Sequence, residues 1–130
     1  GSSQKIHSDA RIHPENKLRK EITCLLYLNK EYQKTKDTGC LEIWDDSMTN
    51  CVHEIEPLNN RLVLFVNNDK AYHGVPFVKT ERKAITWSIL TKQAATSTRS
   101  KALFVSRPQD DKKIGQLGLE RAYIKDKVIK

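Results

Sequence analysis

Long apolar runs are missing from this 130-residue chain, and so are CxxC motifs, internal repeats and low-complexity segments. No run approaches the roughly 18 apolar residues of a membrane helix, and no charged-then-apolar signal peptide opens the chain. The three cysteines (Cys24, Cys40 and Cys51) are an odd number, and Cys24 falls in an apolar run typical of a core. These absences predict one soluble domain in a reducing compartment, the cytoplasm, with no membrane partner.

The net charge of +7 is unevenly distributed along the chain. Residues 1–90 carry 13 basic and 12 acidic side chains, whereas residues 91–130 carry 10 and 4. A solvated basic tail fits this distribution, and so does a tail that binds an acidic or nucleic-acid partner. Aromatic and basic residues are not interleaved in the way that base stacking requires, so a nucleic-acid partner is disfavoured.

Short β-type segments separated by turn signals every eight to twelve residues fill the first 90 residues. Such spacing is typical of an all-β sandwich or barrel. Pro108 fits the first turn of a short helix through about Glu120, although Gly115 and Gly118 weaken this pattern. The predicted strands are 3–9, 21–29, 40–44, 51–56, 61–66, 71–75 and 84–90, with 102–105 as an additional one.

Two histidines and one carboxylate form a candidate metal site. His7 and Asp9 are two residues apart, so they share one face if this segment is a strand. His73 lies near the start of a later strand. We expect this distant strand to fold across the sandwich and to bring His73 to His7 and Asp9. This is the ligand set that holds Fe(II) and leaves positions open for O2 and a co-substrate.

Two other histidines are weaker candidates for metal ligands. His13 lies in a polar loop before Pro14, where a solvated ring is expected. His53 lies in the middle of a predicted strand beside Glu54. Either histidine would replace a member of the proposed triad only if the strand assignments were wrong.

Six segments of the chain resemble the Fe(II)- and 2-oxoglutarate-dependent dioxygenases, specifically their prolyl-hydroxylase-like branch. The resemblance covers roughly residues 4–90. It implies a double-stranded β-helix, the cupin-like jelly-roll that closes around a metal. It also implies a reaction that decarboxylates 2-oxoglutarate to succinate and hydroxylates a C–H bond. The segments are 7–9, 22–29, 39–44, 60–65, 72–76 and 82–86.

The resemblance also assigns site residues by position. It implies the cofactors Fe(II), 2-oxoglutarate and O2, and it leaves a requirement for ascorbate open. Three residues would ligate iron: His7, Asp9 and His73. Four would bind the co-substrate: Arg82 through its distal carboxylate, Tyr27 through a hydroxyl to the same carboxylate, and Thr86 and Leu41 as pocket walls.

Strand parity separates Arg82 from its neighbour Lys83. Arg82 shares one face with small and polar residues, as a pocket wall requires, and its planar fork matches a carboxylate. Lys83 shares the other face with the alternating apolar residues Ile85, Trp87 and Ile89. This apolar face needs a cover, and self-association into a homo-oligomer would supply one.

Two departures from the family pattern concern the ends of the chain. Only six residues precede His7, whereas the family has further strands and helices there, so we expect a fragment or a missing segment. The family motifs end near residue 90. We therefore divide the chain into a 1–90 dioxygenase core and a 91–130 basic extension, which is expected to be dispensable for chemistry from residue 107 onward.

The favoured function is hydroxylation of a prolyl or other residue in a protein or peptide, or of a small molecule. The alternatives are a non-catalytic jelly-roll binding module and an oxygenase that acts on nucleic acid. Specificity is expected from the loops at 10–20, 30–39 and 76–81. Succinate formation would distinguish the enzyme from the binding module, and steep salt dependence of nucleic-acid binding would favour the third function.

Overall fold

The computed structural model describes residues 2–33 and 39–110, which form eight β-strands and no helix. The expectation of an all-β, jelly-roll chain is confirmed. The strands are β1 (Ser2–Ser8), β2 (Arg19–Tyr27), β3 (Leu41–Trp44), β4 (Cys51–Ile55), β5 (Leu62–Val66), β6 (His73–Val78), β7 (Ala84–Thr91) and β8 (Leu103–Phe104).

The strands form two antiparallel sheets with the core between them. One sheet has the order β4-β3-β6-β1-β8, and the other has the order β5-β2-β7. Two packed antiparallel sheets with non-sequential neighbours are the arrangement of a jelly-roll. The buried apolar cluster that joins the sheets comprises Tyr27, Leu41, Val63, Val75 and Val78.

Strand β6 extends further than the sequence predicted. The predicted strand stopped before Pro76, but the observed strand continues through it to Val78. The pairing of β6 with β1 shifts register between Gln4↔Val75 and Ser2↔Val78. A proline cannot donate a hydrogen bond to a neighbouring strand, so Pro76 is tolerated at this irregularity in the pairing.

The described part of the basic extension lies against the core strands. Strand β8 pairs with β1, and the Val105 amide donates to the Ile6 carbonyl at 2.9 Å. Arg107 forms an ion pair with the buried Glu42 at 2.7 Å. Pro108 begins a turn, and the rest of the helix predicted through residue 120 lies outside the described residues. The domain boundary at residue 90 stays a prediction.

The outer face of the three-stranded sheet is apolar and open to solvent. Its large side chains are between 42% and 61% exposed. At roughly 100 Å² each they present on the order of 600 Å², the upper end of what a monomeric protein shows in one patch. The face comprises Leu62, Leu64, Val66, Ile85, Trp87 and Ile89.

Within the described ranges no helix exists, so none is long and apolar enough to cross a membrane.

Self-association through this face is a testable consequence. We expect light scattering of the whole chain to give a mass above the 15.0 kDa of one copy. Leu64→Lys with Ile85→Lys should restore the monomer, because each lysine places a charge in the apolar patch. The control is Val52→Lys, which alters a 50% exposed apolar residue in the other sheet. A stable parent monomer would contradict the prediction.

Candidate metal centre

The two histidines and the carboxylate predicted as a metal site come together. His7 on β1 and His73 on β6 are directly opposed, with ring centroids 4.4 Å apart. Asp9 lies just beyond the end of β1, and its Oδ1 is 3.3 Å from His7 Nε2 and 3.7 Å from His73 Nε2. One ligand atom from each residue lies within 4.8 Å of the other two.

The route by which His73 reaches the site differs from the expectation. The prediction that His73 reaches the pair from a strand on the opposite side of the sandwich was wrong, because β6 is the neighbour of β1 in the same sheet. Directly opposed residues of an antiparallel pair have Cβ atoms roughly 4.5–5.5 Å apart, so adjacent strands suffice to bring two imidazoles together. Sequence separation alone does not reveal which strands are neighbours.

Backbone carbonyls determine which nitrogen of each ring faces the site. His7 Nδ1 is 2.9 Å from the Lys5 carbonyl, and His73 Nδ1 is 2.8 Å from the Ala71 carbonyl. Because a carbonyl oxygen only accepts, each neutral ring carries its proton on Nδ1 and a lone pair on Nε2. Both lone pairs then face a carboxylate oxygen of Asp9. Three electron-donating atoms at this separation could hold a metal ion between them.

The protonation states of Asp9 and His73 near neutral pH are compatible with metal binding. Burial alone would raise the pKa of Asp9, but the hydrogen bond from His7 and the charge of His73, both in their imidazolium forms, lower it to about 2 together with the hydrogen bond from Thr23. Burial and the neighbouring His7 charge lower the pKa of His73 below 6.5. At pH 7 the carboxyl is therefore ionised and the His73 ring is neutral, which are the forms that coordinate metals.

A cavity of about 420 Å³ lies between the two sheets and contains the three candidate ligands. This volume is within the roughly 300–1,000 Å³ of small-molecule sites. Its walls come from β1, β3 and β6 on one side and from β2 and β7 on the other. Among its lining residues are His7, Asp9, His73, Thr23, Leu25, Leu41, Val75, Val78, Arg82, Ala84 and Thr86.

Arg82 supplies a fixed cation in this cavity. Its Nε donates to the Gly39 carbonyl at 3.0 Å, and its Nη2 donates to the Tyr27 hydroxyl at 3.0 Å. Gly39 adopts φ +108°, and a Cβ there would lie 3.2 Å from Arg82 Cδ. Within residues 2–33 and 39–110, no carboxylate pairs with Arg82. The guanidinium is therefore oriented and leaves N–H donors for an acidic ligand.

The remaining predicted co-substrate residues take different positions. Leu41 and Thr86 line the cavity. Tyr27 is fully buried behind Arg82 and contacts the guanidinium, whose carbon lies 4.9 Å from the ring centroid. Burial raises the pKa of Tyr27, so its hydroxyl keeps its proton. Lys83 points to solvent and forms an ion pair with Glu81 at 3.2 Å.

The other two histidines stay outside the site. The His13 ring accepts a hydrogen bond from the Glu15 amide at 3.3 Å, and His53 is exposed on β4. Sequence reasoning missed three residues that contact the candidate ligands. Thr23 donates to Asp9, while Phe65 and Phe104 lie 4.6 Å and 5.4 Å from the rings of His73 and His7. These contacts come from long-range strand packing, for which the sequence carries no local signal.

The candidate site lies within a segment of the chain that matches a known protein family. Residues 1–89 match the family model described as the 2OG-Fe(II) oxygenase superfamily. The match includes every candidate iron and co-substrate residue and ends inside β7. A search of curated proteins found no match.

Proposed function

Since this chain belongs to the 2OG-Fe(II) oxygenase superfamily, we propose that its cavity is the active site, with Fe(II) bound by His7, Asp9 and His73. The family uses Fe(II), 2-oxoglutarate and O2, and the function is of the dioxygenase type. The observation that carries the residue assignment is that two histidine Nε2 atoms and one carboxylate oxygen lie within 4.8 Å of one another. When bound, the metal supplies the activation of O2.

The protein's own contribution is to orient these ligands. The carbonyls of Lys5 and Ala71 hold both Nδ1 protons, so neither imidazole can rotate its Nε2 away without losing a hydrogen bond. The single negative charge of Asp9 would offset one of the two positive charges of a divalent ion, and the lowered pKa of Asp9 ensures that it is anionic at pH 7. The buried position of His7 and His73, 4% and 5% exposed, limits water at the ligand atoms.

We propose that Arg82 binds the distal carboxylate of 2-oxoglutarate. An arginine fork forms charge-assisted, often bidentate bonds with a carboxylate. Tyr27 keeps the guanidinium in place by accepting one of its N–H groups. We propose that the Tyr27 O–H also donates to this carboxylate. Leu41 and Thr86 would line the space that the co-substrate's carbon chain occupies.

We propose C–H hydroxylation of a prolyl or other residue in a protein or peptide as the reaction. The resemblance of the six segments between residues 7 and 86 to the prolyl-hydroxylase-like branch supports this substrate class. A cytoplasmic location is part of the proposal, because Cys24, Cys40 and Cys51 are all free thiols.

A peptide screen tests the reaction. A proline-containing peptide library would be incubated with the whole chain, Fe(II), 2-oxoglutarate and ¹⁸O2 and examined by mass spectrometry. The proposal predicts one added ¹⁸O atom in a peptide, dependent on every component and absent with Asp9→Ala. Succinate formation without ¹⁸O in any peptide would refute the substrate class while preserving the oxygenase function.

The extension provides a further prediction about turnover. Removal of residues 107–130 would also delete Arg107, which forms an ion pair with Glu42. A truncation that removes only residues 111–130 keeps this ion pair and therefore tests the rest of the extension alone. Decarboxylation of 2-oxoglutarate should survive that cut. Removal of 99–130 should abolish it, because Arg99 and the strand paired with His7 are lost. The measurement is succinate yield per chain, with circular dichroism as the folding control. Loss of turnover in a folded 1–110 chain would contradict the prediction.

A further inference from the structure

The hydroxyl of Thr23 contacts the candidate iron site from the sheet opposite to both histidines. Thr23 lies in the middle of β2 and is 4% exposed. Its Oγ1 donates to Asp9 Oδ2 at 2.8 Å. The other carboxylate oxygen, Oδ1, is the one that faces the two Nε2 atoms. The two oxygens of Asp9 therefore have different neighbours: Oδ2 accepts from Thr23, and Oδ1 faces the two histidines.

This hydrogen bond matters because of where Asp9 lies in the chain. Asp9 follows the last residue of β1, so strand pairing does not fix its backbone as it fixes His7. A carboxylate can turn about its terminal bond and offer either one oxygen or two to a metal. Thr23 is β-branched and restricted at χ1, and its strand is paired on both sides, so its hydroxyl is a rigid anchor.

We propose that Thr23 is a positioning residue that holds Asp9 with Oδ1 toward the histidines and so sets the metal affinity. The proposal rests on the iron site proposed above. Thr23 is not itself a ligand: its hydroxyl acts only through the carboxylate. Partners of this kind, hydrogen-bonded to a ligating group, typically contribute about 10- to 100-fold to metal affinity.

A matched pair of variants isolates the hydroxyl. Thr23→Val keeps the branched shape and removes the donor, whereas Thr23→Ser keeps the donor and removes a methyl group. Mn(II) affinity of the whole chain would be measured by calorimetry, and the visible spectrum of the Co(II) form would report the ligand geometry. We expect Thr23→Val to weaken Mn(II) binding about 10- to 100-fold and to alter the Co(II) spectrum. Thr23→Ser should bind within a few-fold of the parent.

The results separate a positioning role from a merely structural one. A hydroxyl that only satisfies a buried polar group would change the free energy of unfolding in urea but neither the Mn(II) affinity nor the Co(II) spectrum. Parent-like values in Thr23→Val would thus overturn the proposal while leaving the iron site intact. A parent chain that binds no Mn(II) would overturn both. If Thr23→Val does not fold, Thr23→Ala and Thr23→Ser provide the same comparison, and equal affinities for them would overturn the proposal.

Discussion

Replacing Asp9 with alanine is expected to weaken iron binding sharply, so that little iron stays bound. The loss of affinity should exceed the roughly 10- to 100-fold that is typical when a hydrogen-bond partner of a ligand is removed. The change removes one of three protein ligands together with the negative charge that offsets the cation. It also leaves the Nε2 lone pairs of His7 and His73 without the carboxylate that lies 3.3 Å and 3.7 Å from them. The measurement is metal content after reconstitution with Fe(II) under anaerobic conditions.

Two histidine variants provide the control for this experiment. His13→Ala and His53→Ala each remove an imidazole that lies outside the cavity, so both should retain the iron content of the parent. Near-parent iron in Asp9→Ala would refute the assignment of the carboxylate. A loss of iron in His53→Ala would show that a different set of ligands binds the metal.

Arg82→Ala is expected to weaken 2-oxoglutarate binding about 10- to 100-fold while iron binding survives. A charge-assisted pair contributes roughly 1.5–3 kcal/mol, which converts to that change in affinity. Arg82 lines the cavity and is oriented by Gly39 and Tyr27, whereas the Lys83 side chain is 59% exposed and pairs with Glu81. Affinity would be measured by calorimetry with Mn(II) held at a fixed, saturating concentration.

Three variants sharpen the comparison. Lys83→Ala removes a neighbouring positive charge and should leave 2-oxoglutarate affinity unchanged. Arg82→Lys keeps the charge but loses the planar fork, and an intermediate affinity is expected. Tyr27→Phe removes the acceptor that holds Nη2 and should weaken binding less than Arg82→Ala. If Lys83→Ala were the damaging change, the assignment of this strand's faces would be wrong, and Thr86 would lose its role with it.

The parts of the fold that could be predicted from the sequence are those set by local chemistry. Turn residues and alternating apolar residues predicted the strands, and strand parity predicted which of Arg82 and Lys83 faces the cavity. Strand order could not be derived in this way, because pairing depends on contacts between residues far apart in sequence. The direct pairing of His7 with His73 therefore replaced the predicted crossing between sheets.

The same limit applies to residues that support the site. Thr23 in a β-rich segment looks like an ordinary strand residue until its hydroxyl is found 2.8 Å from Asp9. Arg99 belongs to a segment that looked like a solvated basic tail, yet its Nη2 donates to the Ser8 hydroxyl at 3.0 Å, 91 residues away in sequence. Ser8 lies between two candidate ligands, so charge composition alone did not reveal how part of the extension contributes to the site.

Conversion of 2-oxoglutarate to succinate by the whole chain tests the central claim most directly. The parent should form succinate in the presence of Fe(II) and O2, and omission of Fe(II) should abolish the product. Asp9→Ala should form none at any 2-oxoglutarate concentration, whereas Arg82→Ala should recover activity as that concentration is raised. A folded parent chain that binds Fe(II) and 2-oxoglutarate but forms no succinate would contradict the claim and indicate a binding module instead.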